Sequence, residues 1–351
     1  MKLFRQFFCP KAISPLISSE RPGVWMDFLW LSEEEVRSLL TMDEAIKAVE
    51  SAFVEHGMGK TQMPPKSYLF FSKYEGDLRS MPAYLEGLDA AGVKIVNFHN
   101  KNSARGLPTV MALVVLNSPE TGAPLAVMGG TFLTNMRTGA AGAIAARALA
   151  RPESSVVGMV GAGAQARTQL LGISKLFSIK RVIVCDRSLA RCQALERYAS
   201  PFLDCEYNLT TNPQEACSCD ILVTTTPSRS PLIKESWARP GTHINAIGAD
   251  APGKQELASS LTRKAKVVVD DLSQALHSGE VNVPISEGIM TSEDIHAQLG
   301  EVLLGKAPGR ISQEEITIFD STGLGIQDVA AGSVVYRKAL ETGRGTRLAF
   351  L

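Results

Sequence analysis

The sequence predicts an α/β protein of two domains, one built on a doubly wound parallel sheet and the other on a mixed or antiparallel sheet flanked by helices. Three observations carry this reading. At 351 residues the chain is long for one compact domain and comfortable for two, each able to bury its own core. From Arg151-Pro152 onward, the apolar runs VVGMV, RVIVC, DILVTTT, HINAIG, KVVVDD and EITIF alternate with helical segments, as parallel strands buried on both faces do. The first of these runs leads directly into Gly161-Ala162-Gly163-Ala164-Gln165-Ala166 and a helical stretch from Ala164 to Leu176, a strand-turn-helix junction suited to a nucleotide.

Taken in order, the elements read as follows. The first 25 residues carry Lys2, Arg5, Lys11 and Arg21 against the single acid Glu20, without the continuous apolar core of a secretory signal. Residues 1–30 are therefore expected to be a loosely ordered extension. Ser32 with Glu35 makes a capping box. Thr41 with Glu44 opens a second helix, whose Ala45, Ile46, Val49, Ala52 and Phe53 recur at helical spacing until Gly57 and Gly59 end it. Extended runs follow at Ser67 to Phe71, Leu78 to Tyr84, Ala91 to Phe98 and Thr109 to Asn117, parted by turn-rich pieces such as SPETGAP. Asn135 to Ala150 is helical in propensity and rich in small residues, which predicts close helix packing. Leu324 to Leu340 is an amphipathic helix that returns to the first domain.

Composition excludes several classes of function. Hydrophobic residues make up 45% and charged residues 21%, with 36 basic against 36 acidic side chains. Nucleic-acid and polybasic membrane partners both need a surplus of Lys and Arg, so neither is expected. No apolar run reaches the ~18 residues of a transmembrane helix. Six cysteines, irregularly spaced, do not make a disulfide framework in a chain of this size, and a reducing, cytoplasmic setting is expected. Cys217 and Cys219 lack a second cysteine pair or a nearby histidine, so no metal site is predicted.

In the glycine turn, Gly161 would make the tight bend, Gly163 would let a pyrophosphate approach the backbone, and Ala166 would let helix and strand pack closely. The helix start then offers N–H groups and a positive dipole end to the phosphates. The run RVIVC ends at Asp186, about twenty residues after Ala166, where a carboxylate accepts ribose hydroxyls and repels a 2′-phosphate. That favours NAD over NADP, although Arg187 and Arg191 could reach a 2′-phosphate. Ligands of open α/β sheets bind at the carboxyl ends of strands, so Thr225, Thr226 and Pro227, and likewise Gly248, Ala249 and Asp250, should line the cofactor crevice. Asp250 would lie near the nicotinamide, or else cap a helix over Pro252 to Gln255.

Four cations stand beside apolar or glycine-rich sequence: Lys66, Arg79, Lys94 and Arg137. A lysine inside an apolar strand is too costly to bury unpaired, so Lys94 must snorkel or meet an anion. Singly, each reads as a solvated or ion-paired residue. Beside a dinucleotide cradle, they read as a clamp for a substrate carboxylate, with Lys66 and Arg137 as its arms and Lys94 either sharing the carboxylate or exchanging protons. None of the five histidines has the spacing of a triad member or metal ligand.

From about Leu31 to the C-terminus the chain resembles the ornithine cyclodeaminase and mu-crystallin family, its archaeal-type alanine dehydrogenase branch above all. The motifs that carry the resemblance are MPPK (63–66), RSMPAY (79–84), GVKIVNFHNKN (92–102), GLPTVMALVVLNSPETGAPLAVM (106–128), MRTGAAGAIAA (136–146), GAGAQA (161–166), VTTTPS (223–228), HINAIGADAPGKQEL (243–257), KVVVDD (266–271), GE (279–280) and EITIFDSTGLGIQD (315–328). The resemblance implies a homodimer in which a Rossmann-like domain, about 145–322, is inserted into a substrate-binding and dimerisation domain made of 31–144 plus 323–351. It implies that Lys66, Lys94 and Arg137 hold the substrate carboxylate, that Arg79 matches an arginine typical of the branch, and that Asp250 handles protons beside the reacting nitrogen. It adds Arg137, Thr138, Ile247 and Ser321 to the cofactor contacts. Where the branch has an arginine before Met-Pro, this chain has Gln62. The implied reaction is NAD-dependent oxidative deamination of a small L-amino acid, alanine foremost, to a 2-oxo acid and ammonia. The alternatives are ornithine or lysine cyclodeamination on bound NAD, reduction of a cyclic ketimine with NAD(P)H, and a crystallin-like protein that binds NAD(P)H without turnover. Intact Lys94, Arg137 and Asp250 argue against the last.

Overall fold

Burial alternates along strands of the first half such as Val110–Asn117 and is nearly unbroken along the central strands of the second, and the two sheets differ accordingly. The computed structural model describes residues 16–18 and 25–351. The first sheet comprises β1 (Leu16–Ser18), β2 (Trp25–Leu31), β3 (Thr61–Gln62), β4 (Ser67–Phe71), β5 (Gly76–Leu85), β6 (Ala90–His99), β7 (Val110–Asn117) and β8 (Pro124–Gly129). The second comprises β9 (Val156–Val160), β10 (Arg181–Cys185), β11 (Glu206–Thr210), β12 (Ile221–Thr224), β13 (His243–Ala246), β14 (Lys266–Val269), β15 (Ala297–Gln298) and β16 (Thr317–Asp320), after which β17 (Thr346–Ala349) returns to the first.

The first sheet runs β1-β2-β8-β7-β6-β5-β3, with β4 also paired to β5 and β17 to β2. Its pairings are antiparallel except β2 with β8. Leu16–Ser18 and the segment from Trp25 to Trp30, both within the 1–30 extension expected to be loosely ordered, are thus strands of the sheet. Long-range pairing with β8 and β17 orders a segment that has no turn or cap signal of its own. The rest of that extension, residues 1–15 and 19–24, lies outside the described residues. The helix Gly325–Thr342 packs on β5, β6 and β7, where it covers Ala112, Val114 and Leu116, while Met111 and Leu113 on the other face are exposed.

The second sheet is parallel throughout and runs β11-β10-β9-β12-β13-β16-β14-β15. From β9 the chain goes first to β10 on one side and later to β12 on the other. The carboxyl ends of β9 and β12 therefore form a topological switch point. Val157, Val182, Ile221, Ile244, Val268 and Ile318 are closed to solvent, which explains why their runs lack polar alternation. The edge strand β11 escaped the sequence reading because its Glu206-Tyr207-Asn208 half is too polar to look like a buried run.

The Rossmann-like class expected from the sequence is present. The described residues form two compact units: those up to Glu44 with Gly59–Thr134 and Gly325–Leu351, and Ala45–Met58 with Asn135–Leu324. The helix Thr131–Leu149 belongs from Asn135 onward to the second, and its small residues serve close packing. A Cβ on Gly139 would stand 2.2 Å from the Thr168 carbonyl oxygen, and one on Gly172 would stand 2.6 Å from that of Gly139. The helices Thr131–Leu149 and Ala164–Leu176 therefore meet backbone to backbone.

His243 on β13 is buried between Thr317 and Asn245, hydrogen-bonded to both at 2.9 Å. Burial pushes its imidazole down from an ordinary 6.5 to about 3. The unfolded chain takes up a proton below 6.5 that the folded protein refuses, so this contribution to stability is present above 6.5 and is lost as pH falls toward 3. Melting curves between pH 7 and pH 4 should show the Tm of His243→Asn falling less steeply than that of the wild type. Equal slopes would remove the histidine from the account.

Candidate active site

The turn after β9 is shaped by a backbone that only glycine adopts easily. Gly161 has φ +96°, and a Cβ there would stand 2.8 Å from the Thr225 hydroxyl. The absent side chain lets the β9 turn close onto the β12 turn at the switch point, where Thr225 donates from its amide to the Val160 carbonyl and from its hydroxyl to that of Gly161. At Gly163 a Cβ would meet nothing within 4 Å. This residue caps the helix Ala164–Leu176 without a side-chain hydrogen bond, leaving first-turn N–H groups for an anion, and Ala166 is buried against the sheet. These features fit a dinucleotide pyrophosphate, whose approach any larger residue at 163 would obstruct.

Asp186, at the end of β10, is turned toward the same loop. One carboxylate oxygen accepts from the amide of Ala162 and the other from that of Ser188, both at 3.0 Å. These bonds fix the carboxylate, whose further lone pairs can take ribose hydroxyls. Arg187 and Arg191 are both exposed. Gln165 donates its side-chain amide to Asn135, and Gln169 donates to the Thr138 carbonyl. The first turn of the cradle helix is thereby tied to the helix that carries Arg137 and Thr138.

The loops at the carboxyl ends of β12, β13, β14 and β16 are held by buried acids. Glu256 accepts from the amides of Thr226 at 2.6 Å and Gly248 at 2.9 Å, so one side chain fixes both loops expected to line the crevice. Its own amide and that of Leu257 donate to Glu280, whose amide in turn donates, with that of Val281, to Asp320. Asp270 accepts from the amides of Thr322 and Gly323 at 2.7 Å each. Burial pushes the Glu256 and Glu280 carboxyls up, and the neighbouring Glu256 raises Glu280 further. Ser321 is buried between these anchors and donates its amide to the Ala246 carbonyl, while Ile247 and Ala249 are buried and Pro227 is exposed.

Arg137 is buried with its guanidinium against Gly323, where a Cβ would stand 2.7 Å from Nη1. It therefore falls in the unit of the cradle rather than in that of Lys66 and Lys94. Asp250 has a side chain 38% exposed and forms an ion pair with Lys254. No helix follows it, so the capping alternative is not realised.

In the first unit, strand register groups the other cations. Tyr68 pairs with Arg79, and Arg79 with Val96, while Met81 pairs with Lys94, so Arg79 and Lys94 lie diagonally on one face of the β5–β6 pair. Lys66 immediately precedes β4 on the approach to Tyr68. Arg79 donates from Nε and Nη2 to Asp77 at 2.9 and 3.1 Å, and its guanidinium lies over the Tyr68 ring. The fork is thus already oriented by its neighbours. Lys94 is 1% exposed and forms an ion pair with Asp328, 0% exposed, at 2.8 Å.

Sequence reasoning passed over Glu256, Glu280, Asp270, Asp320 and Asp328, though each stands in a motif that it singled out. For Asp270, Glu280 and Asp320 the available signal was an acid at the end of an apolar run or beside a glycine, where loop amides lack ladder partners, whereas Glu256 and Asp328 carry no such local mark.

The ornithine cyclodeaminase/mu-crystallin family profile matches residues 27–343. An alanine dehydrogenase of Archaeoglobus fulgidus is 55% identical over 326 residues, covering 93% of this chain and 99% of that protein. Among solved structures, an archaeal alanine dehydrogenase dimer with bound NAD superposes with a TM-score of 0.90 at 53% identity, over 93% of this chain and 100% of the other. The Delta(1)-pyrroline-2-carboxylate reductase of Thermococcus litoralis, in complex with NADH and L-proline, gives 0.89 at 40% identity over 92% and 100%.

Because the space over Gly163 is open on the protein side, Gly163→Ala should fold with an unchanged Tm yet bind NADH roughly tenfold or more weakly. Fluorescence titration measures the second quantity, and wild-type affinity would show that phosphates do not approach there.

Proposed function

The chain belongs to the ornithine cyclodeaminase/mu-crystallin family, and we propose that within it this protein is an NAD-dependent amino acid dehydrogenase that deaminates L-alanine reversibly to pyruvate and ammonia. The observation that carries the reading is the conjunction of an NAD-shaped cradle, ending in a fixed Asp186, with an intact set of cations for a carboxylate. The substrate class rests on the 55% identical alanine dehydrogenase.

NAD+ supplies a hydride acceptor when bound. Lys66, Lys94 and Arg137 hold the substrate carboxylate, with Arg79 oriented beside them by Asp77, so that Cα–H is presented for transfer. Loss of hydride from the neutral amine leaves an iminium ion, which water attacks at carbon. Asp250 accepts a proton from that water and returns one to the departing nitrogen, and its solvent exposure lets it exchange protons with bulk between turnovers. The dinucleotide rests on Gly161, Ala162, Gly163, Ala164, Gln165 and Ala166, with Thr138, Thr225, Thr226, Pro227, Ile247, Gly248, Ala249 and Ser321 around it. NAD is the preferred form because Asp186 would repel a 2′-phosphate, with NADP a weaker alternative through Arg187.

The protein acts as a homodimer, and the exposed apolar face of the first sheet, with Met111 and Leu113, supplies surface for the second copy. Leu113→Glu should shift it to a monomer in gel filtration; an unchanged dimer would place the interface elsewhere.

Purified protein with NAD+ and L-alanine should accumulate NADH and ammonia in equal amounts. Ornithine that releases ammonia without net NADH would point to a cyclodeaminase, and NADH-dependent reduction of Δ1-pyrroline-2-carboxylate in the absence of any alanine turnover would point to a reductase. Asp250→Ala should lose turnover by roughly a hundredfold or more while NADH affinity stays within about twofold. A collapse of NADH binding would make Asp250 a cofactor ligand instead.

A further inference from the structure

Lys94 is placed where an ammonium has no reason to be unless something holds it. Its cross-strand neighbours are Met81 on β5 and Val114 on β7, and Val114 in turn pairs with Met128 on β8. All three are buried, so the lysine interrupts an otherwise apolar row. The helix Gly325–Thr342 that covers this row brings Asp328 onto it from its first turn, 2.8 Å from the Lys94 ammonium. A charge in such surroundings costs too much to keep unpaired, and the carboxylate offsets that cost only while both partners stay ionised.

On this geometry we propose that Asp328 is a positioning residue that keeps Lys94 cationic and fixed, so that Lys94 serves only to hold the substrate carboxylate and takes no part in proton transfer. The inference rests on the dehydrogenase reading and settles a division of labour within it. A group that relays protons during water attack and ammonia release must communicate with solvent. Asp250, at 38% exposure, does, whereas the Lys94 ammonium is held in its charged form by the Asp328 carboxylate at 2.8 Å. Lys94 lies on one face with Arg79, whose guanidinium is fixed by Asp77 in the same way that Lys94 is fixed by Asp328. Each of these two cations thus has its own carboxylate, and neither depends on substrate for its orientation.

Asp328→Asn removes the charge and keeps the shape. KM for alanine should rise roughly 10- to 100-fold, as expected for loss of a charge-assisted contact, while NADH affinity stays at the wild-type value. Asp328→Glu should recover part of the loss. In a Lys94→Met background, Asp328→Asn should cost no further kcat/KM beyond about twofold, because its effect passes through the lysine. An additive loss, or a wild-type KM in Asp328→Asn, overturns the proposal. If Asp328→Asn does not fold, the charge-free double variant Lys94→Met/Asp328→Leu is compared with Lys94→Met alone, and equal kcat/KM supports the same conclusion while a further drop refutes it. The wild type is assayed first with alanine and with proline. Failure on alanine overturns the alanine reading alone, and the variants are then compared on the carboxylate that the enzyme does turn over.

Discussion

A parallel sheet ends in loops whose amides have no ladder partners, and in this protein those amides are answered by carboxylates closed to solvent. Glu256 ties the loops after β12 and β13 together, Glu280 holds the backbone of Glu256, Asp320 holds the backbone of Glu280, and Asp270 holds the loop after β16. The dependence is mutual: unmet amides would be costly, and so would unmet acids. Because each acid fixes the main chain of the next, the loops around the cradle behave as one frame. The raised carboxyls of Glu256 and Glu280 are the cost of that arrangement, since burial opposes the charge their amide donors favour.

The same economy governs the cations proposed to bind substrate, by another route. Lys94 is stabilised by one acid on a helix laid over its strand, and Arg79 by an acid two residues away on its own strand. Removing one partner of a fully buried pair such as Lys94–Asp328 typically costs about 3–5 kcal/mol because it strands the other charge, whereas the intact pair adds little net stability and serves chiefly to fix position. Both cations are therefore preorganised, which lowers the cost of orienting a bound carboxylate. Asp250 is treated differently. Its partner Lys254 is four residues away on an irregular, partly exposed loop, as would suit the proton-handling role proposed for it.

How much of this was legible in the sequence depends on range. Gly161, Gly163 and Ala166 declare themselves because their work is local, a turn and a helix start within six residues. The capping boxes at Ser32 and Thr41 form as the sequence reads them, for the same reason. Asp186 was legible through its spacing, although its bond to Ala162 was not. Asp328 was not legible as a partner of Lys94, because 234 positions of chain separate residues that only the returning helix unites. The strand Trp25–Leu31 was missed likewise: its order comes from β8 and β17, far along the chain. What the residues alone do establish is the need, since a lysine in an apolar strand demands an anion whether or not the sequence names it.

That need also explains why the cofactor is easier to read than the substrate. A dinucleotide is recognised largely by backbone, which leaves a pattern of glycines, whereas a substrate carboxylate is recognised by cations that suit alanine, ornithine and proline equally. Carboxylate recognition cannot distinguish dehydrogenation from cyclisation or ring reduction, because all pass through carbon–nitrogen double bonds beside the same carboxylate. The outcome is decided by what reaches the imine carbon first, water or an amine of the substrate itself. A short side chain such as that of alanine carries no such amine, so for it the choice falls to water, and the enzyme's part reduces to an exposed base able to deliver it. On the proposed roles Asp250, 38% exposed, is that base, so for this protein the choice between substrates is to be sought in whatever limits side-chain length rather than in the cations that would hold the carboxylate.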